Sequence, residues 1–146
     1  QVLRLVKRNR KWKRAPCYSY ELSIGTPLSI PESGLTVCSE RMPAPLANLP
    51  DSLSEAVFDA ALLPRTLTLR NFRRGDRFQP LGMAGHKKVR DLFVEKKIPL
   101  SVRATLPLLL AGDEILWIPG HGRSEAAKIG PETAEILRLR VIPEDY

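Results

Sequence analysis

The chain has 146 residues, 43% of them apolar, and a formal net charge of +7, a composition typical of one small globular domain with a sizeable core. It shows neither a run of about 18 apolar residues nor a signal-peptide pattern, so we expect no membrane span. The two cysteines, Cys17 and Cys38, lack the spacing of metal ligands, which favours reduced thiols and a cytoplasmic location.

Positive charge is concentrated in two segments. Residues 1–14 carry +7 without an acidic side chain and residues 70–97 carry +6, whereas residues 15–69 and 98–146 carry −4 and −2. Two basic islands favour one or two faces directed toward a polyanion. We predict that residues 1–16 are a basic linker or arm from a missing upstream domain, with direct nucleic-acid contact as the alternative.

The first half of the chain predicts strands. Apolar or aromatic residues alternate with polar ones from Tyr18 to Ile24, and again at Leu35 and Val37 after a turn at Ser33-Gly34. This period of two is typical of half-buried strands. The following segments are, in order, a proline-rich irregular stretch (42–55), a short apolar stretch (56–63) and a further alternating stretch (66–70).

Residues 87–97 predict the clearest helix. Val89, Leu92 and Phe93 fall at positions i, i+3 and i+4, so they form one apolar stripe, and Pro99 is the expected stop. We also predict single helical turns at 101–105 and 131–136.

A hairpin is predicted around Gly112-Asp113, because a glycine at the first turn position suits a two-residue loop. Both arms, 108–111 and 114–118, are apolar on both faces, which indicates central strands, and Trp117 is expected in the core. Residues 137–141 predict a final strand. The resulting fold class is α+β: a small single domain with an antiparallel or mixed β-sheet and a few short helices.

The most informative stretch is FRRGDRFQPLGMAGHKKVRD at residues 72–91. Its basic side chains surround glycines and a proline, which bend the backbone and allow a partner to approach closely. Such a charged, turn-rich segment favours a phosphate backbone as partner. The Arg-Gly-Asp at 74–76 predicts a tight turn at Gly75, with Asp76 accepting local backbone N–H groups and the neighbouring arginines held in place.

Lys87 and Lys88 are candidates for a phosphate contact, although the preceding glycines lack the spacing of a nucleotide phosphate loop. At the N-terminus of the predicted helix, cations are unfavourable unless an anion binds there. The alternative is a pair of solvated lysines, one of them paired with Asp91. The roles of two arginines outside this stretch are also left open. Arg103 contacts RNA or pairs with an internal acid, and Arg123 contacts RNA or stays solvated.

The chain resembles a known family, the C-terminal domain of tRNA(Ile)-lysidine synthetase. The blocks that carry the resemblance are R-x-G-D-R-F-x-P-x-G, G-x-K-K, D-x-F, a proline-rich segment and I-L-W-I-P-G, found here at Arg73–Gly82, Gly85–Lys88, Asp91–Phe93, Lys97–Pro107 and Ile115–Gly120. Their order and spacing agree over about residues 66–142, and the resemblance is weaker over 17–65. It implies a β-rich first part at 17–65 and a tRNA-binding core at 66–146.

The resemblance implies a parent ligase that uses ATP with Mg to adenylate the wobble cytidine of tRNA(Ile), which free lysine then converts to lysidine. The Ser-Gly-Gly-x-Asp-Ser loop of the catalytic domain does not occur in this chain, so we expect no catalytic residue, cofactor site or metal ligand here. The implied role is to grip the tRNA acceptor stem and to contribute to tRNA selection. The residues onto which this role is carried are Arg73, Arg74, Arg77, Lys87, Lys88 and Arg90, with Arg103 and Arg123 as weaker candidates.

The implied partners are the acceptor stem of tRNA(Ile) and the upstream catalytic domain, with a homodimer as a further option. Double-helical RNA is recognised mainly through its shape, phosphates and 2′-hydroxyls, which basic residues on rigid turns can contact. Two alternatives remain open: a non-catalytic RNA-binding module of another RNA-processing protein, and a docking or dimerisation domain whose charges only solvate it.

Overall fold

The computed structural model describes residues 17–50 and 52–144, so the predicted basic arm at 1–16 lies outside the described residues. The strands are β1 (Ser19–Leu22), β2 (Leu28–Ile30), β3 (Leu35–Pro43), β4 (Glu55–Asp59), β5 (Leu67–Asn71), β6 (Arg77–Phe78), β7 (Lys87–Lys88), β8 (Pro107–Ala111), β9 (Glu114–Ile118), β10 (Gly122–Arg123) and β11 (Glu135–Pro143). The helices are α1 (Val89–Glu95) and α2 (Leu100–Arg103), with a 3-10 turn, η1, at Ala60–Leu62. None of the helices in the described ranges is long and apolar enough to cross a membrane.

The strands form three antiparallel sheets, which confirms the predicted α+β class. The five-stranded sheet has the order β1-β5-β8-β9-β10, the four-stranded sheet has the order β2-β3-β11-β4, and β6 pairs with β7. Both larger sheets take strands from residues 17–65 and from residues 66–146, so the two predicted parts share their sheets.

The five-stranded sheet is the middle layer, because its two faces bury different apolar clusters. On β8, Leu109 belongs to the first cluster, together with residues of the four-stranded sheet such as Phe58. Leu108, the preceding residue, belongs to the second cluster, which includes Phe93 of α1. Successive side chains of a strand point to opposite faces, so a middle-layer strand is apolar throughout. The prediction that β8 and β9 are central strands is confirmed.

A β-bulge adapts β9 to this arrangement. The register between β8 and β9 shifts after Leu109, so Leu116 and Trp117, although consecutive, both lie in the first cluster. Trp117 is 1% exposed, which confirms its predicted place in the core. The two-residue loop at Gly112-Asp113 is also confirmed, and Gly112 has the positive φ of 61° that such a turn requires.

The predicted helix at 87–97 is shorter than expected. Its apolar stripe is buried as predicted, but Lys87 and Lys88 pair with β6 instead of forming the first helical turn. The helix also ends before Pro99: Lys97 has a φ of 55°, and the Ile98 N–H donates to the Phe93 carbonyl at 3.0 Å. This is a Schellman ending, so the turn terminates the helix and the proline only follows it.

The helical turn predicted at 131–136 is wrong. Glu135 and Ile136 begin β11, whose residues 135–143 pair with the whole length of β3. Ile136 is fully buried, and nine residues of strand pairing outweigh a weak local helical preference. The turn predicted at 101–105 corresponds to α2, which begins one residue earlier.

Candidate RNA-binding surface

Five of the predicted contact residues are exposed and lie along one continuous stretch of the fold. They occupy the turn before β6, β6 itself, β7 and the first turn of α1. Within residues 17–50 and 52–144, none of these five side chains makes an ion pair or a hydrogen bond. We call this group the basic surface; its members are Arg73, Arg74, Arg77, Lys88 and Arg90.

Two of these cations face each other across the β6–β7 ladder. Arg77 and Lys88 are direct register partners, and directly opposed side chains on antiparallel strands have Cβ atoms about 4.5–5.5 Å apart. Like charges in this position destabilise a strand pair. An anion between the two side chains would remove the repulsion, so the ladder is suited to bind one.

A buried ion pair holds the turn that carries Arg73 and Arg74. The Arg70 guanidinium, at the end of β5, donates to both carboxylate oxygens of Asp76 at 2.9 Å. The same carboxylate accepts the Arg73 N–H at 2.8 Å, and Gly75 has a φ of 93°, so the predicted tight turn is confirmed. The Asp76 carbonyl accepts the Val89 N–H at 3.0 Å, which ties the turn to the start of α1.

Arg70 was missed by the sequence analysis. It is 8% exposed, and its position as the last residue of the alternating stretch 66–70 gave no sign of burial. The only available signal was its spacing of six residues from Asp76, which becomes meaningful once the intervening turn is known.

The loop between β6 and β7 is anchored to the segment that follows β10. The Glu125 carboxylate accepts the Gly82 N–H at 2.7 Å, and the Gln79 side chain donates to the Met83 carbonyl at 2.8 Å. The pKa of the Glu125 carboxyl is lowered mainly by the hydrogen bond from Lys128 and, to a smaller extent, by the one from the Gly82 N–H. The loop therefore has a fixed conformation beside the basic surface.

Lys87 has a different environment from Lys88. Its ammonium pairs with Glu95 in the last turn of α1, and not with Asp91 as the alternative interpretation held. The helix starts at Val89 and has seven residues, so the predicted phosphate site at the N-terminus of a longer helix does not exist in this form. Lys88 lies in the β6–β7 ladder, opposite Arg77.

Arg123 joins the two large sheets. From β10 its guanidinium donates to the carbonyls of Val57, Ser124 and Ala126 and lies 4.3 Å from the centroid of the Phe58 ring. Burial lowers the pKa of Arg123, and the nearby Glu125 partly counteracts that effect. Arg123 is therefore partly buried, and each of its three nitrogens donates a hydrogen bond within the protein.

Arg103 also has an internal partner, although not an acid. Its Nε donates to the Ile98 carbonyl at 2.6 Å, which fixes the connection between α1 and α2.

His86 is exposed, whereas burial and then the charge of Lys96 lower the pKa of His121. In the described part of the chain, no three His, Cys, Asp or Glu side chains are grouped so as to hold a metal ion.

The family model described as the TilS substrate C-terminal domain matches residues 67–141. The chain belongs to this family. The matched residues run from β5 into β11 and contain the basic surface, the Arg70–Asp76 pair and the anchored loop.

Curated relatives carry the name tRNA(Ile)-lysidine synthase. The protein of Geobacter sulfurreducens is 41% identical over 125 residues, which cover 82% of this chain and 26% of that protein. The protein of Symbiobacterium thermophilum is 41% identical over 115 residues, which cover 77% of this chain and 23% of that protein. The chain thus spans about a quarter of the length of these relatives.

Solved structures agree with the family assignment. A structure described as a TilS C-terminal domain superposes with a TM-score of 0.81 at 29% identity, covering 90% of this chain and all of that one. An N-terminal fragment of the phenylalanyl-tRNA synthetase beta-subunit from Pyrococcus horikoshii gives a TM-score of 0.53 at 15% identity, covering 62% and 28% of the two chains. The second likeness concerns the fold alone.

Proposed function

We propose that this chain is the tRNA-binding C-terminal domain of a tRNA(Ile)-lysidine synthase, the ATP-dependent ligase that converts the wobble cytidine of tRNA(Ile) to lysidine. Its role is to bind the acceptor stem and to contribute to tRNA selection, while ATP with Mg and the chemistry belong to the upstream catalytic domain of the parent enzyme. The family membership and the name of the relatives support the assignment of the parent enzyme as a tRNA(Ile)-lysidine synthase.

The main observation that supports RNA binding is that Arg77 and Lys88 lie directly opposite each other in the β6–β7 ladder. Two cations opposed on one ladder, without an ion pair in the described residues, are unfavourable in the free protein. A phosphate between them converts this repulsion into attraction. The remaining members of the basic surface extend the positive charge along rigid turns, which matches the phosphate rows of an A-form stem.

Of the eight residues predicted from the sequence, we assign the five of the basic surface to RNA contact. Lys87, Arg103 and Arg123 each have a partner inside the protein, so we assign them to the scaffold. A cation that already donates to a carboxylate or a carbonyl has less to gain from a phosphate.

The test is a salt titration of binding to an acceptor-stem RNA duplex. Arg74→Ala, Arg77→Ala and Lys88→Ala should each lower the slope of log affinity against log salt by about 0.7–0.9, and the triple variant should lower it by the sum of the three changes. Because the three side chains are exposed, the melting temperature should stay nearly constant. Arg140→Ala is the matched control, since Arg140 is an exposed arginine on β11, outside the basic surface.

A triple variant with unchanged affinity and slope would contradict this proposal. A docking or dimerisation domain predicts that result, because its charges only solvate the surface. A general RNA-binding module predicts the salt effect without any preference for the isoleucine acceptor stem, so a stem of different sequence is included in the titration.

A further inference from the structure

The loop between β6 and β7 exposes two large apolar side chains next to the basic surface. Leu81 and Met83 are 49% and 51% exposed. They flank Gly82, so their Cα atoms are at most about 7 Å apart. Within the described part of the chain, neither side chain belongs to one of the two apolar clusters or packs against it. The core of the domain therefore does not use these two side chains.

The tip of this loop is held by polar contacts and not by its apolar side chains. The Leu81 N–H donates to the Arg123 carbonyl at 3.1 Å, and the Gly82 N–H donates to the Glu125 carboxylate at 2.7 Å. Both acceptors lie in or directly after β10, so the tip is fixed to the five-stranded sheet before a partner arrives. A group that is already fixed loses less conformational entropy on binding, which favours a role in recognition.

The loop lies at the end of the ladder that carries the charges. The Arg77–Lys88 pair is followed by the Phe78–Lys87 pair, and the loop begins directly beyond it. Basic side chains and the apolar tip thus follow one another along the β6–β7 ladder. An RNA stem has the same order, because phosphates line its sides and an apolar base face is uncovered only where the stacking ends. A stem whose phosphates contact the basic surface can therefore place its end against the loop.

We propose that Leu81 and Met83 pack against the flat face of the last stacked base at the end of an RNA stem, and so set how far the stem extends along the basic surface. The proposal rests on the proposed function, because it requires a stem bound there. Leu and Met are among the side chains that proteins insert against base faces, and such contacts tolerate any sequence because every base has a π-face. Glu125, the acid that anchors the loop, is paired with Lys128, so its charge is compensated near the phosphates.

The test compares two RNAs with the same stem: a blunt-ended hairpin, and a dumbbell in which loops close both ends. The chain should bind the hairpin about tenfold more tightly, as expected for covering two half-exposed apolar side chains. Leu81→Ser combined with Met83→Ser should reduce this preference to less than twofold. The slope of log affinity against log salt should stay constant, because the lost contact involves no phosphate.

Two controls accompany this double variant. Leu62→Ser changes a leucine that is 65% exposed on η1, outside the loop, and should keep the full preference. Leu81→Met combined with Met83→Leu keeps both side chains apolar and should also keep it. Because the substituted side chains lie outside the core, all variants should retain the melting temperature of the original chain.

The outcomes separate the two proposals. Equal binding of hairpin and dumbbell by the original chain, or an undiminished preference in the double serine variant, would overturn the contact of Leu81 and Met83 with a base face. If the dumbbell still binds with the expected salt dependence, stem binding by the basic surface stands in that case. If neither RNA binds, both proposals fail.

Discussion

The Arg70–Asp76 pair makes the strongest stability prediction. The two side chains are 10% and 11% exposed and form a bidentate contact, both distances being 2.9 Å. Asp76→Ala leaves the Arg70 guanidinium buried without its carboxylate and removes the acceptor of the Arg73 N–H. Breaking a buried pair in this way costs about 3–5 kcal/mol, a large share of the roughly 5–15 kcal/mol that stabilises a typical domain.

Equilibrium unfolding in urea measures this loss directly, through the transition midpoint at constant slope. Asp91→Ala is the control, because Asp91 is an exposed acid in the same segment, and it should change stability by no more than about 0.5 kcal/mol. Arg70→Met added to Asp76→Ala should recover part of the loss, since it removes the unpaired charge. If Asp76→Ala costs less than about 1 kcal/mol, the pair does not hold the turn and the reasoning is refuted.

Two further substitutions test other parts of the scaffold by thermal unfolding. Arg123→Ala should destabilise the domain by about 2–4 kcal/mol, because three carbonyls lose a charged donor; Arg123→Lys should restore only part of this, and an unchanged melting temperature for both would contradict the role of Arg123 between the sheets. Lys97→Gly should stabilise the domain by about 0.5–1 kcal/mol, because glycine adopts the positive φ at the end of α1 without steric cost. Lys97→Ala removes the same charge without that benefit, so equal effects of the two substitutions would show that the charge matters and the conformation does not.

The predictions that succeeded depend on short-range patterns. The apolar stripe of Val89, Leu92 and Phe93 and the two-residue loop at Gly112-Asp113 are each decided by residues a few positions apart. The turn at Gly75 follows the same rule, because Asp76 accepts an N–H only three residues away. Such features can be read from a single sequence, since their partners lie within the segment.

The features that were missed depend on residues far apart in the chain. The β11 strand is defined by pairing with β3, about a hundred positions earlier, and this pairing overrides the local pattern at 131–136. Lys87 and Lys88 join a ladder with β6 across the intervening loop, so the helix begins later than its period suggests. For Arg123, the acceptors come from both neighbouring and distant backbone, and no local signal identifies them.

The arginines of this chain show why residue type alone could not assign the candidate site. Arg70 has a carboxylate within reach and Arg123 has three carbonyls, so both have intramolecular partners and contribute to stability. Arg77 faces Lys88 and has no partner in the described residues, so its charge remains available. Replacing an arginine is therefore predicted to have a different consequence depending on whether that arginine has a partner within the protein. Removing a partnered arginine should lower stability, whereas removing an unpartnered one should lower the salt dependence of RNA binding. Measuring both quantities on the same set of variants therefore tests the assignment of each residue independently of the family to which the chain belongs.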